Sequence, residues 1–156
     1  MYALTRQLAV VLLCMPIIAF AGTIKFSSKD LTGKEHRLVD YRGKWVIINY
    51  WATWCPPCLN EIPELVEFHE KHSKTNAVVL GVNYENVDDT YLKSFADEYL
   101  ISYPILKADL NRTPPFGRLH GLPTTFVISP DGKLVDTRVG EVNLEWLESA
   151  IKPKGI

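Results

Sequence analysis

The run Trp51-Ala52-Thr53-Trp54-Cys55-Pro56-Pro57-Cys58 constrains this chain more than any other stretch, because it sets two cysteines where one hydrophobic pattern gives way to another. Upstream, Trp45 to Trp51 is a nearly continuous apolar run rich in β-branched and aromatic residues, as expected of a strand buried on both faces. Downstream, Ile62, Leu65, Val66 and His69 recur at helical spacing. Pro56 and Pro57 suit a first helical turn, where backbone N–H groups lack intrahelical partners in any case. The spacing therefore predicts strand, turn and helix, with Cys55 at the helix N-terminus. A thiolate is favoured there by unpaired N–H groups and by the positive end of the helix dipole. Such a thiolate attacks disulfides, and Cys58, one helical turn on, is spaced to resolve the mixed disulfide that results.

Two other uses of a Cys-x-x-Cys pair fit less well. A structural bridge across two residues closes a very small loop and removes little entropy from the unfolded chain. Half of a zinc site would need a second pair, and the chain has only three cysteines, one of them Cys14 near the start. His36, His69, His72 and His120 are scattered, and His69-Glu70-Lys71-His72 lacks the His-Glu-x-x-His spacing. That segment reads as a solvated helix end. Neither a metal nor a cofactor is expected.

A length of 156 residues leaves room for one ordinary domain. Net charge is −1 with no basic block or acidic tail, which argues against nucleic acid or an electrostatically held membrane surface as partner. The N-terminus differs from the rest. Arg6 precedes an apolar run from Leu8 to Phe20 that ends in Ala19-Phe20-Ala21, the form of a secretory signal with an Ala-x-Ala site. The expected division is a signal over residues 1–21 and a domain over 22–156. The run is short for a membrane span, and contact with a membrane is expected only if the signal stays uncleaved as an anchor. Leu13 before Cys14 is larger than the residue a lipidation site usually has there, so Cys14 is read as part of the signal.

Along the chain, Ile24 to Phe26 and Glu35 to Val39 flank Leu31-Thr32-Gly33-Lys34 and suggest a hairpin. The cysteine helix is expected to reach about Lys71, with a kink at Pro63. Ala77 to Asn83 reads as a second buried strand, and Asp88 to Tyr99 as a helix with Tyr91, Leu92, Phe95 and Tyr99 at helical spacing. Strand–helix–strand order implies parallel pairing. Tyr103 to Leu106 is a short extended piece, 111–115 a loop, and Phe116 to His120 a turn or short helix. Thr124 to Ser129 and Leu134 to Val139 form a hairpin around Pro130-Asp131-Gly132-Lys133, and a last helix covers about Leu144 to Ile151.

Trp-Cys-Pro-Pro-Cys after Val-Ile-Ile-Asn-Tyr-Trp-Ala-Thr, followed by Glu61 and Pro63, resembles the extracytoplasmic thioredoxin-like reductases of the TlpA/ResA/DsbE type. Gly121-Leu122-Pro123-Thr124-Thr125-Phe126 resembles the cis-proline loop of that family, and the likeness runs from about Phe26 to Ile151. The resemblance implies an α/β thioredoxin-like fold: a central mixed sheet flanked by helices, with an N-terminal hairpin and a strand–helix insertion over 88–106. It implies Cys55 and Cys58 as the redox pair and Glu61 as a group assisting proton movement, the alternative for Glu61 being an ordinary surface residue near a helix start. Trp54, Pro56, Leu122, Pro123 and Thr124 would form the substrate-facing surface, while Trp51 serves the core equally well. Asn49 departs from thioredoxin, which has a titrating aspartate at that point, and so shifts the proton route towards Glu61 or a water.

The implied partners are disulfide-containing client proteins in the periplasm or on the outer face of a bacterial inner membrane, in several relatives apocytochrome c. A membrane thiol donor of the DsbD/CcdA type would supply the electrons. Two prolines between the cysteines, with no histidine or cation, favour a reductant over an oxidant or isomerase of the same fold. A thiol peroxidase would need a Pro-x-x-x-Thr-x-x-Cys setting that this centre does not match. A module that binds thiol clients without turnover is the remaining alternative.

Overall fold

The computed structural model describes residues 24–152, so the apolar leader, Cys14 and the Ala-x-Ala site lie outside the described residues. The chain opens with a small antiparallel pair, β1 (Ser27–Lys29) and β2 (Glu35–Arg37), followed by a single 3-10 turn, Leu38–Tyr41. The hairpin is present, but the first strand starts three residues later than expected and the second is shorter. The reason is the turn chemistry. Asp30 Oδ1 accepts from the backbone N–H groups of Thr32 and Lys34 and from the Thr32 hydroxyl, so the turn begins at Asp30 and sets the register from Ser27↔Arg37 to Lys29↔Glu35. Ile24 and Phe26 pack against the core from outside the strand.

Next come β3 (Trp45–Trp51), α1 (Pro56–His72) and β4 (Ala77–Asn83), the two strands pairing in parallel from Trp45↔Ala77 to Trp51↔Asn83. α2 (Asp89–Glu98) then leads to β5 (Ile105–Lys107), which adds in parallel to the outer side of β4. β6 (Thr124–Ile128) pairs antiparallel with β3, β7 (Leu134–Val139) antiparallel with β6, and α3 (Leu144–Ala150) closes the fold. The mixed sheet has the order β5-β4-β3-β6-β7. β3 lies at its centre, so the end of β3 delivers the cysteines to the middle of one sheet edge.

Alternation along the strands builds two cores. Val46, Ile48 and Tyr50 face one way with Leu80, Val82, Phe116 and Phe126, under the N-terminal segment. Ile47 faces the other way with Val79, Leu65, Phe68 and Leu147, under α1 and α3. α1 runs as one uninterrupted helix past Pro63, which lies on its exposed side and offers no N–H to the Leu59 carbonyl. Phe116 to His120 forms no helix, and Phe116 is buried among aromatic rings.

The end of α1 is only partly the solvated segment expected from its charges: Glu70 and Lys71 are exposed, but His69 and His72 are half-buried. β5 reaches back only to Gly81, so the Val79 N–H lacks a strand partner on that side and donates instead to His69 Nδ1 at 3.1 Å. Burial lowers the His69 pKa, which keeps that nitrogen free to accept. His72 and Lys71 both reach Glu148, joining α1 to α3.

Gly81 marks the tightest point of this face. A Cβ there would come within 2.8 Å of the Tyr103 ring and 3.1 Å of the Trp51 indole nitrogen, both buried groups. Gly81→Ala is therefore expected to lower unfolding stability by about 1–3 kcal/mol, read as a lower denaturant midpoint at unchanged m-value; an unchanged midpoint would show that the rings give way.

Candidate active site

β3 ends at Trp51, and the chain turns through Ala52, Thr53 and Trp54 into α1 with Cys55 as its N-cap. The Cys55 N–H closes this turn on the Ala52 carbonyl at 3.3 Å. Cys55 and Cys58 form a disulfide with Cα atoms 5.3 Å apart. Both are almost fully covered, whereas Trp54 beside them is 67% exposed and Pro56 is exposed as well. The sulfurs thus lie just below a surface of which Trp54 and Pro56 are the visible part. Positions N1 and N2 of α1 are Pro56 and Pro57, so Cys58 is the first residue of the helix proper to carry an N–H.

The second sequence motif enters β6, the strand next to β3, where Thr124 lies opposite Tyr50. The Leu122–Pro123 peptide is cis, and Leu122 packs against the apolar cluster containing both cysteines. Pro123 and Thr124 are buried. The Thr124 hydroxyl donates to the Gly121 carbonyl at 2.7 Å, and Thr124 pairs with Tyr50 on one side and Val139 on the other. The Gly140 N–H donates to the Pro123 carbonyl, tying the loop to the end of β7. Exposed Val139 adjoins this loop, close to where a Cβ of Gly121 would lie.

Beneath the cysteines is a buried polar network. Glu61, three residues after Cys58 on α1, is 1% exposed. Its Oε1 accepts from Asn49 Nδ2 at 2.7 Å and its Oε2 from the Val142 N–H at 2.8 Å, while Asn49 Nδ2 also reaches Thr125 Oγ1 at 3.1 Å. Burial pushes the Glu61 carboxyl up to about 7, against the pull of these hydrogen bonds. Of the two settings open to Glu61 in the sequence, the surface one is absent. Asn49 fills the same shelf of β3 and orients the carboxylate rather than titrating. The Val142 N–H carries no local sequence signal, since a backbone donor 81 residues away is brought in by the turn into α3.

One further residue at the site was not foreseen. Glu85, in the loop after β4, accepts from the Thr53 N–H at 2.7 Å and from Asn83 Nδ2 at 2.7 Å on Oε1, and from Thr53 Oγ1 at 3.1 Å on Oε2. Nothing in Glu85-Asn86-Val87 distinguishes it from any polar loop, and its role exists only because β4 lies beside β3. Among the described residues no cluster of three or more His, Cys, Asp or Glu is arranged to hold a metal ion, and no helix is long and apolar enough to cross a membrane.

A thioredoxin-like sheet that presents a helix-capping cysteine pair beside a cis-proline loop defines a thiol–disulfide oxidoreductase. The chain belongs to the AhpC/TSA family, whose model matches residues 22–137. It is 35% identical over 134 residues to a thiol-disulfide oxidoreductase ResA of Geobacillus thermodenitrificans, covering 82% of this chain and 75% of the relative. Among solved structures it resembles a thioredoxin-family thiol:disulfide interchange protein from Chlorobium tepidum, with TM-score 0.74, 28% identity and coverage of 83% of this chain and 92% of the other. A pneumococcal exposed lipoprotein thioredoxin from Streptococcus pneumoniae aligns with TM-score 0.67 and 27% identity, over 81% of this chain and 97% of the other.

Proposed function

We infer that this protein is an extracytoplasmic reductant of protein disulfides, with Cys55 as the attacking thiol and Cys58 as the resolving one. The Cys55 thiolate attacks one sulfur of a client disulfide and expels the other as a thiolate, leaving a mixed disulfide. Cys58, losing its proton, then attacks Cys55 Sγ, frees the second client sulfur and closes the Cys55–Cys58 disulfide. Two electrons pass to the client, and the two protons given up by the cysteines end on its two thiols. Trp54, Pro56 and Leu122 form the surface that receives the client chain, and buried Pro123 and Thr124 shape the loop beneath it. Glu61 takes or returns the Cys58 proton.

The observation that carries the direction is the first turn of α1. Pro56 and Pro57 remove two of the N–H groups that would stabilise a Cys55 thiolate, and one turn beyond Cys58 lies a buried carboxyl rather than a cation. A poorly stabilised thiolate makes the reduced form the less stable one and lowers the reduction potential. The apolar run before Gly22 supports export, as does the likeness to an exposed pneumococcal lipoprotein. The motif resemblance to the TlpA/ResA/DsbE type, not any relative's name, is the ground for proposing a client of the apocytochrome c kind and a membrane thiol donor of the DsbD/CcdA type.

The test is the equilibrium potential of the domain titrated against defined thiol buffers, followed by Trp54 fluorescence. A value near or below that of thioredoxin, about −270 mV, is expected; one near that of DsbA, about −120 mV, would make the protein an oxidant.

A further inference from the structure

We propose that Glu85 is a positioning residue for the attacking cysteine, holding the turn that carries Cys55 in register at the head of α1. Thr53 lies two residues before Cys55, and both its backbone N–H and its hydroxyl are bound by the one Glu85 carboxylate. The same carboxylate takes the Asn83 amide, and Asn83 Oδ1 is left buried with no partner among the described residues. An amide oriented towards Glu85 at the expense of its own oxygen marks that carboxylate as the point where the local donors converge. Tyr91 of α2 adds a long contact, its hydroxyl 3.4 Å from Thr53 Oγ1.

Apart from these contacts and the packing of buried Ala52 and Cys55, the turn is held by two backbone hydrogen bonds. The Tyr84 N–H bonds the Trp51 carbonyl and the Cys55 N–H bonds Ala52, while Trp54 is exposed. Thr53 is thus the polar anchor of the turn between the sheet and the nucleophile. A cap residue that drifts moves its sulfur away from the helix N-terminus and from the partner sulfur, and the influence of the helix terminus fades within the first turn. Glu85 touches neither cysteine, so its effect passes entirely through Thr53. The inference rests on the reading of Cys55 as the attacking thiol.

Position and charge can be separated, because Glu85→Gln keeps every bond: its oxygen still accepts from Thr53 N–H and Asn83, and its amide donates to the Thr53 hydroxyl. Glu85→Asp keeps the charge but shortens the reach by one methylene. In the reduced full domain, the rate of iodoacetamide alkylation against pH reports the apparent Cys55 pKa, and reduction of a small aromatic disulfide reports attack. Glu85→Asp is expected to raise that pKa by about half a unit or more and to slow attack roughly three- to tenfold, with Glu85→Gln staying close to wild type. A Gln variant shifted as far as the Asp variant, or an unshifted Asp variant, overturns the proposal. Either result would leave Glu85 acting through its field or only on stability. Peptide mapping of the alkylated product tests the underlying assignment separately, since first labelling at Cys58 would sink the role given to Cys55 whatever the Glu85 variants do.

Discussion

Cys55→Ser is expected to abolish disulfide reduction, with a loss of at least about 10³-fold, because a serine hydroxyl has no accessible anion near neutral pH and forms no disulfide. Cys58→Ser should behave differently. It keeps the attacking thiol at the head of α1 but cannot resolve, so it should accumulate a mixed disulfide with client that survives non-reducing electrophoresis and disappears with dithiothreitol. The asymmetry is the informative part. If both variants trapped client equally, the cysteines would be interchangeable; if Cys55→Ser kept client turnover, the exchange reading would fail. A protein that only held its clients would retain their affinity without either sulfur.

The second large effect concerns Glu61. Its ordinary pKa is 4.5, and burial raises it to about 7 in the folded protein. Below about pH 4.5 the carboxyl is protonated folded or unfolded, and the stability associated with this group is fully present. As pH climbs from 4.5 towards 7 the unfolded chain releases its proton while the folded one holds it, so stability falls across that window and levels off above it. The size is on the order of 2–3 kcal/mol at neutral pH. Glu61→Gln should remove that slope, gaining on wild type as pH rises. The amide can be accepted if Asn49 turns over, offering its oxygen to Gln and to the Thr125 hydroxyl.

Activity should move the opposite way. A carboxyl titrating near 7 is matched to a thiol proton, and its loss is expected to slow resolution by Cys58 about 10²-fold and to erase an inflection near neutral pH in the rate profile. Denaturant melts and stopped-flow exchange across pH 4–9 measure the two effects together. Greater stability with slower exchange supports the assignment; unchanged exchange would leave Glu61 as a purely structural buried acid.

Most of the architecture was legible because its signals are local and periodic. β4 falls on Ala77–Asn83 as read, and α2 begins at Asp89 behind the Asp88 cap, whose side chain accepts from the Tyr91 N–H. Two prolines after a cysteine, at the end of a β-branched run, mark a helix start without reference to the rest of the chain. The first hairpin was less legible, since its turn is set by three donors converging on Asp30, a choice the residue types alone leave open.

By itself, then, the sequence determined the strand–turn–helix that sets the cysteines apart by one turn, the parallel β3–β4 core and the closing hairpin, through short-range propensity and hydrophobic period. Tertiary structure alone decided what surrounds the sulfurs. Whether Glu61 is a surface acid or a buried one depends on the turn before α3 arriving with the Val142 N–H; whether Glu85 is a loop residue or a clamp depends on β4 lying alongside β3. Both are properties of chain segments distant in sequence, and burial and hydrogen bonding of a carboxylate are fixed only when those segments meet.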